Sequence, residues 1–248
     1  NRVWINQGGD QAGTLGTFLD SGQMLGNHFS SGVSLGDLDG DGDLDAFVAN
    51  NFGVNRVWVN DGSGSFSDSG QRLGNFYSSA VALGDVDGDG DLDVFVGNGL
   101  SFNDREPNKV WLNDGNGNFI DSGQSLGNDF SYSGAMALGD MDGDGDLDVL
   151  AGIFNSTNKL YLNDGSGGFP DNGTAIGSET DSTQALSLGD VDGDGQVNPV
   201  DSGLVQSAFG SVDEQDVCNY DVDCDGQINP VDSGIVQSLF GMCDAPRA

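Results

Sequence analysis

The sequence predicts a mainly β fold made of repeated four-stranded units, followed by a small α-helical module at the C-terminal end. An apolar segment with a central aromatic residue recurs every 50 residues or so, about the length of a propeller blade or a solenoid unit. Five aspartate-rich loops interrupt the chain, and the last two differ from the first three in the residues that follow them. Together these patterns predict calcium-binding β-hairpins first and paired loop-helix segments last.

The repeat is clearest in the segment Asn-Arg-Val-Trp-Ile-Asn, which begins at Asn1 and has counterparts at Asn55, Asn108 and Asn158. Each unit also has a turn rich in glycine, a segment that begins with phenylalanine, and an apolar segment that leads into an acidic loop. With the apolar run after that loop, these segments predict four strands per unit. The phenylalanines that begin the fourth predicted strand are Phe18, Phe66, Phe119 and Phe169.

The first three acidic loops, residues 37–45, 85–93 and 140–148, read Asp-x-Asp-Gly-Asp-Gly-Asp-Leu-Asp. Loop positions 1, 3, 5 and 9 offer carboxylates, position 7 offers a backbone carbonyl, and the glycine at position 6 permits the sharp turn of a calcium loop. A solvated acidic turn is the alternative, but carboxylates this close repel one another unless a cation lies between them. The predicted metal ligands are Asp37, Asp39, Asp41, Asp43, Asp45, Asp85, Asp87, Asp89, Asp91, Asp93, Asp140, Asp142, Asp144, Asp146 and Asp148.

Position 12 separates these loops from the last two. The first three carry Val48, Val96 and Ala151 there, inside apolar runs that predict buried strands. The last two loops, residues 190–201 and 221–232, instead end in aspartate and precede a short helical pattern. Their predicted ligands are Asp190, Asp192, Asp194, Gln196, Asn198, Asp201, Asp221, Asp223, Asp225, Gln227, Asn229 and Asp232, which brings the expected calcium content to about five ions.

Composition narrows the function classes. The 248 residues allow one large or two modest domains, and a formal net charge of −33 with only seven lysines and arginines argues against nucleic acid or an anionic membrane surface as a partner. No stretch is apolar enough to predict membrane insertion. Weak calcium modules belong in calcium-rich extracellular fluid, so we expect secretion. Asn1 lies within a repeat, which favours a signal peptide or further protein upstream.

Three cysteines lie near the C-terminal end, where a small module gains most from a crosslink. Cys218 with Cys243 is the preferred disulfide, since this pair would bracket the last loop, while Cys224 occupies position 4 of that loop, which is not a ligand position. A zinc site is disfavoured because the single histidine, His28, is distant in sequence.

Two repeated residue types invite both a structural and a functional interpretation. The cations Arg2, Arg56, Lys109 and Lys159 could form a basic rim that binds an acidic ligand, but we favour pairing with nearby loop carboxylates or covering of an aromatic face. The aromatic residues of the same segments could stack on sugars, but we favour packing between units. These aromatic residues are Trp4, Trp58, Trp111 and Tyr161.

Residues 1–189 resemble the FG-GAP/VCBS repeats of integrin-α-type β-propellers, on the strength of the acidic hairpins in units of about 50 residues. The resemblance implies a propeller-like array of four-stranded blades whose acidic loop joins the first two strands. By that register the chain begins with strands three and four of one blade, continues through three full blades, and ends the series with a lone first strand at 186–190.

Residues 190–241 resemble a type I dockerin module, with two calcium-binding loop-helix segments that are near copies of each other. We therefore assign residues 190–248 to a dockerin-like domain with EF-hand-like loops, and the resemblance implies a cohesin-like protein partner. Loop positions 10 and 11, which help to select the cohesin in dockerins, are Pro199-Val200 and Pro230-Val231 in place of the frequent hydroxyl-containing pair.

The sequence indicates no enzyme, because His28 is the only histidine available to a nucleophilic triad and most carboxylates belong to calcium loops. We expect a secreted, non-catalytic adhesion or scaffold protein stabilised by calcium. One alternative is the protomer of an extracellular fibre or surface assembly, joined head to tail to neighbouring copies of itself. Another is a glycan-binding accessory protein that uses exposed aromatic or polar loop residues.

Overall fold

The computed structural model describes residues 1–7, 16–99, 106–127, 132–170, 173–178 and 183–188. Fourteen β-strands and no helix occur in these ranges, so the described part of the chain is all β. It accordingly contains no helix that is long and apolar enough to cross a membrane. The predicted C-terminal α module and the three cysteines lie outside the described residues.

The strands form one two-stranded ribbon and three four-stranded antiparallel sheets, in which strand order follows the chain. The ribbon contains β1 (Arg2–Asn6) and β2 (Phe18–Met24). The first sheet contains β3 (Ser30–Gly36), β4 (Asp45–Asn50), β5 (Arg56–Asn60) and β6 (Phe66–Asp68). The second contains β7 (Ser78–Gly84), β8 (Asp93–Asn98), β9 (Lys109–Asn113) and β10 (Phe119–Asp121). The third contains β11 (Tyr132–Gly139), β12 (Asp148–Phe154), β13 (Asn158–Tyr161) and β14 (Thr174–Ile176).

The prediction of four strands per unit is confirmed in all three sheets, and each acidic loop joins the first two strands of its sheet. The prediction is wrong for the fourth strand of the third sheet. Phe169 is buried but lies outside any strand, and β14 begins only at Thr174. Pro170 explains the difference, because proline has no amide hydrogen to donate to a strand ladder.

The described residues divide into two compact units. The first contains the described residues within 1–85, 89–99 and 106–125, and therefore the ribbon and the first two sheets. The second contains residues 86–88 and the described residues from 126 onward, including the third sheet.

The core of the first unit lies between its two four-stranded sheets. Phe47 on β4 is fully buried and meets Phe119 edge to face, with ring centroids 6.1 Å apart. Val94 and Trp111 from the second sheet complete the same cluster. Strands β4, β8 and β12 are almost entirely buried on both faces, which explains their continuous apolar sequences.

Glutamine side chains connect successive members of the first unit. Gln23 of the ribbon donates from Nε2 to Gly64 O at 2.7 Å and accepts at Oε1 from Phe66 N at 2.7 Å. Gln71 of the first sheet bonds to Gly117 O and Phe119 N of the second sheet in the same way. Each amide therefore satisfies one acceptor and one donor of a neighbouring backbone.

The segment 183–188 packs on the third sheet although it is not itself a strand. Thr183 N donates to Ile153 O at 3.3 Å, and Leu186 and Leu188 join the apolar cluster around Leu150. A Cβ atom added to Gly152 would lie 2.6 Å from Thr183 Cγ2, so glycine is needed for this close approach. The sequence predicts a lone first strand at 186–190. Residues 186–188 do pack on the third sheet, but they do not form a strand.

The repeated aromatic residues are mainly core residues, as we favoured. Trp58, Trp111 and Tyr161 are buried, whereas Trp4 in the ribbon is 56% exposed. Trp58 packs on Leu25 of the ribbon in the cluster that also contains Val48.

Three of the repeated cations pair with carboxylates, as we favoured, but the partners are aspartates of a neighbouring strand and not the predicted loop carboxylates. Arg2 bonds to Asp20 at 2.6 Å, and the next two cations form equivalent pairs. These are Arg56 with Asp68 and Lys109 with Asp121. The fourth cation, Lys159, donates to Gly173 O at 3.4 Å.

We predict that Phe47→Ala lowers the free energy of unfolding by about 3–5 kcal/mol, because it leaves a cavity between the first two sheets. Phe18→Ala is the matched control: Phe18 is 62% exposed, so its loss should change stability by less than about 1 kcal/mol. Urea denaturation followed by tryptophan fluorescence measures both. Equal losses in the two variants would contradict the assignment of the core.

Candidate metal centres

Each described acidic loop brings together three carboxylates whose oxygen atoms lie within 4.8 Å of one another, so each loop could hold a metal ion. In the first loop (37–45) these come from positions 1, 3 and 5. In the second (85–93) and third (140–148) they come from positions 1, 3 and 9. The three sets are Asp37, Asp39 and Asp41; Asp85, Asp87 and Asp93; and Asp140, Asp142 and Asp148.

The aspartate at position 1 is oriented by backbone amides of its own loop. Asp37 accepts from Gly40 N at 2.9 Å and from Gly42 N at 3.0 Å, one bond to each carboxylate oxygen. Asp140 accepts from Gly143 N and Gly145 N in the same way. These hydrogen bonds hold the loop around its first carboxylate without the help of a cation.

The aspartate at position 9 is buried in every described loop. Asp45 accepts from Leu38 N at 3.0 Å with one oxygen and from Asn60 N at 2.8 Å with the other. Asp148 repeats both bonds, with Met141 N at 2.8 Å and Asn163 N at 2.9 Å. This carboxylate therefore joins the start of the loop to the end of the third strand, a role that its place in a calcium motif does not reveal.

Asp39 provides the clearest test of whether a cation suits these loops. Its Oδ1 atom is shielded from solvent and has no hydrogen-bond donor within reach. An ionised carboxylate can only accept, so a shielded oxygen of this kind needs a donor or a cation. All-oxygen carboxylate ligation is the donor set that calcium prefers, and the loop therefore fits that ion.

The aspartate at position 7 lies outside all three carboxylate sets. Its side chain rests against the Asp-Gly turn between the third and fourth strands, where a Cβ atom on the turn glycine would lie within about 2.5 Å of a carboxylate oxygen. These pairs are Asp43 with Gly62, Asp91 with Gly115 and Asp146 with Gly165. Position 7 was predicted to offer its carbonyl, and the side-chain positions are consistent with that role.

The crowding of carboxylates alters their titration. Burial raises the pKa of Asp39, and the carboxylates of Asp45 and Asp41 raise it further. Burial also raises the pKa of Asp148, although the amides of Asn163 and Met141 oppose the shift. The pKa of Asp91 is raised by desolvation and then by Asp89 and Asp85. Each of these shifts favours the protonated carboxyl group over the charged one.

The turn aspartates next to the loops behave in the opposite way. Hydrogen bonds from the Ser63 hydroxyl and amide lower the pKa of Asp61, and Ser166 lowers that of Asp164 in the same manner. The amide of Asn116 and the side chain of Asn118 lower the pKa of Asp114. These residues stabilise turns and have their acceptors occupied by donors of the turn itself.

Sequence reasoning missed three asparagines at or just after the end of the third strands, which bond to the loops through backbone and side chain. They are Asn60, Asn113 and Asn163. Their recurrence at one repeat position was the available signal. The predicted ligands between Asp190 and Asp232 all lie outside the described residues.

Comparison with known families agrees with this geometry. Residues 37–96 and 97–151 match the FG-GAP-like repeat family, and residues 188–240 match the type I dockerin domain. The chain carries FG-GAP-like repeats and a type I dockerin domain. No curated protein matches the sequence.

These two families give the described loops a context. Type I dockerin domains bind calcium and imply a cohesin partner, and both families are non-catalytic interaction modules that are typically extracellular or at the cell surface. FG-GAP-like repeats and a dockerin domain in one chain point to a protein-protein interaction or scaffold role with calcium.

We predict that the position-9 aspartate is needed even without calcium. In chelator, Asp148→Asn should lower the free energy of unfolding by about 2 kcal/mol, because the amide cannot accept both backbone bonds as a carboxylate does. Asp144→Asn at position 5 is the matched control and should not destabilise the chelated protein, since it removes repulsion. Thermal unfolding in chelator measures both, and an unchanged Asp148→Asn would contradict the role assigned to Asp148.

We also predict that the chelated protein becomes more stable as the pH falls from about 7 to about 5. The raised pKa values of Asp39, Asp91 and Asp148 mean that these three carboxylates bind protons at a higher pH in the folded state than in the unfolded state, where aspartate titrates near about 3.9. The turn aspartates with lowered pKa values oppose this gain only at lower pH, where the unfolded chain takes up protons first. Calcium should reverse the trend, because protons then displace a stabilising ion. Melting temperatures across this range with calcium and with chelator provide the test; parallel curves would refute it.

Proposed function

We propose that the chain is a secreted, non-catalytic interaction protein in which residues 1–189 form a propeller-like array stabilised by calcium and residues 190–248 dock it to a cohesin-bearing partner. The type I dockerin match at 188–240 carries the proposal, because a dockerin domain implies a cohesin partner. The carboxylate sets of the three described loops support calcium as the common ion.

About five calcium ions would bind, one in each acidic loop. In the described loops the aspartates at positions 1, 3, 5 and 9 would hold the ion, which neutralises carboxylates that otherwise repel. The shielded Asp39 Oδ1 and the raised pKa of Asp39 support this assignment. In the dockerin-like module the ligands would be the residues predicted between Asp190 and Asp232.

Two further features support an extracellular setting. Weakly binding calcium loops need the high calcium of extracellular fluid to be filled. A net charge of −33 destabilises a compact fold through self-repulsion, and bound divalent ions would reduce that repulsion. Folding and calcium loading would then be coupled, and the protein would become compact after export.

We predict that the full chain binds a type I cohesin in millimolar calcium and loses the binding in chelator. Asp190→Ala combined with Asp221→Ala should abolish binding even in calcium, because these residues begin the two dockerin loops. Asp37→Ala in the first loop is the matched control and should keep cohesin affinity within about twofold. Calorimetric titration against several cohesins, including ones that do not require a hydroxyl pair, measures this.

No binding to any cohesin by a folded, calcium-loaded chain would overturn the docking proposal. Sedimentation of the same samples then separates the remaining candidates. Calcium-dependent ordered polymers would favour the protomer of an extracellular fibre, in which the chain binds copies of itself.

A glycan-binding function is the second candidate, and an exposed aromatic patch favours it. Phe29 is 77% exposed and meets Phe52 with ring centroids 6.1 Å apart, and Phe52 meets Tyr77 at 5.1 Å. Adjacent exposed rings offer apolar surfaces on which a sugar ring can stack. The patch lies near the start of β3 and β7, away from the acidic loops.

A glycan array with the calcium-loaded chain tests this candidate. Any hit should be lost in Phe29→Ala with Phe52→Ala and kept in Ile120→Ala, which removes an exposed side chain from another strand. A blank array, or a hit that survives the double change, would count against glycan binding.

A further inference from the structure

The first loop is in contact with the second sheet as well as with its own. Asn113, which ends β9 of the second sheet, donates from Nδ2 to Leu38 O at 2.9 Å. Leu38 is position 2 of the first loop and lies between the carboxylates of Asp37 and Asp39. Its amide donates to Asp45 in the same loop, so its peptide groups are restrained from two sheets at once.

The hairpin that follows Asn113 packs directly against the same loop. A Cβ atom on Gly40 would lie 3.1 Å from Gly115 O, and one on Gly117 would lie 3.2 Å from Asp39 Cβ. Residues with side chains would not fit at either position without movement. The shielded oxygen of Asp39 therefore lies where the second sheet covers the first loop.

The same bond recurs one repeat later. Asn163, two residues after the end of β13, donates from Nδ2 to Val86 O at 2.7 Å within the second unit, and Val86 is position 2 of the second loop. Both asparagines also donate to position 8 of the loop in their own sheet, Leu92 for Asn113 and Leu147 for Asn163. Asn60 of the first sheet makes the own-sheet bond, to Leu44 O at 3.2 Å.

We propose that Asn113 is a positioning residue for the calcium loop of the first sheet, so that calcium binding in that sheet is coupled to the packing of the second sheet against it. This inference rests on the proposed calcium-binding function. The side-chain amide fixes the peptide between ligand positions 1 and 3, and the loop in turn supplies the acceptor that this buried amide requires. Coupling of this kind is reciprocal: what favours calcium favours the contact between sheets.

The test uses the full chain and a calcium titration followed by the backbone amide signals of the position-6 glycines, Gly42, Gly90 and Gly145. Asn113→Ala should weaken calcium binding roughly fivefold at the first and second loops and leave the third unchanged, as expected for loss of one net hydrogen bond per loop. Asn60→Ala is the matched control and should affect the first loop alone.

The decisive measurement is the calcium titration of the Gly42 amide, which lies in the loop of the sheet that precedes Asn113. If Asn113→Ala moves only the Gly90 titration, Asn113 serves its own sheet alone and the proposal is overturned. A wild-type chain whose Gly42 signal ignores calcium would instead refute the calcium assignment of the first loop, which is a separate failure.

Hydrogen exchange gives a second readout that does not depend on the folding of the asparagine variants. Asp39→Asn weakens the first loop, so in calcium the Asp114 amide, which donates to Asn118 O in the hairpin of the second sheet, should exchange several-fold faster. The Asp164 amide, which donates to Gly168 O in the third sheet, should be unchanged. Equal exchange at Asp114 in both proteins would count against the coupling.

Discussion

The buried carboxylate at position 9 of each acidic loop is the interaction on which the rest of the structure depends. Asp45 and Asp148 each accept one backbone amide from the start of the loop and one from the end of the third strand, so a single side chain sets the loop and the strand in register. Burial of a charged carboxylate away from water costs free energy unless hydrogen-bond donors surround it, and here backbone amides are those donors. The other carboxylates of the loop can then point toward a common centre.

This arrangement divides the acidic residues into two classes that the sequence does not distinguish. Some, like Asp45 and Asp61, have their oxygens committed to amides and hydroxyls of the chain. Others, like Asp39, keep an oxygen that nothing in the described protein satisfies. Asp39 therefore has the clearest need for a cation, and it lies beside the second sheet. Under the proposed calcium binding, an ion in the first loop would act on the contact between the first two sheets as well as on the hairpin that binds it.

Much of the fold could be predicted because its signals are local and repeated. The apolar runs around Val48 and Val96 predicted buried strands, and the aspartate-glycine pattern predicted the hairpins; both occur where they were predicted. The contacts between sheets could not be predicted, because they join residues about 75 positions apart, as in Asn113 with Leu38. Phe169 shows a different limit: the repeat predicted a strand there, and the neighbouring proline displaced it toward Thr174.

Thr174 has a further consequence for the end of the repeat series. It stands at the repeat position where the ribbon and the first sheet carry Gln23 and Gln71, whose amides reach the backbone of the following sheet. A threonine hydroxyl on the β carbon is too short to make the same pair of bonds. The amide bridge that Gln23 and Gln71 form therefore cannot be repeated from position 174, and the chain that packs on the third sheet at 183–188 continues into the residues that match the dockerin domain.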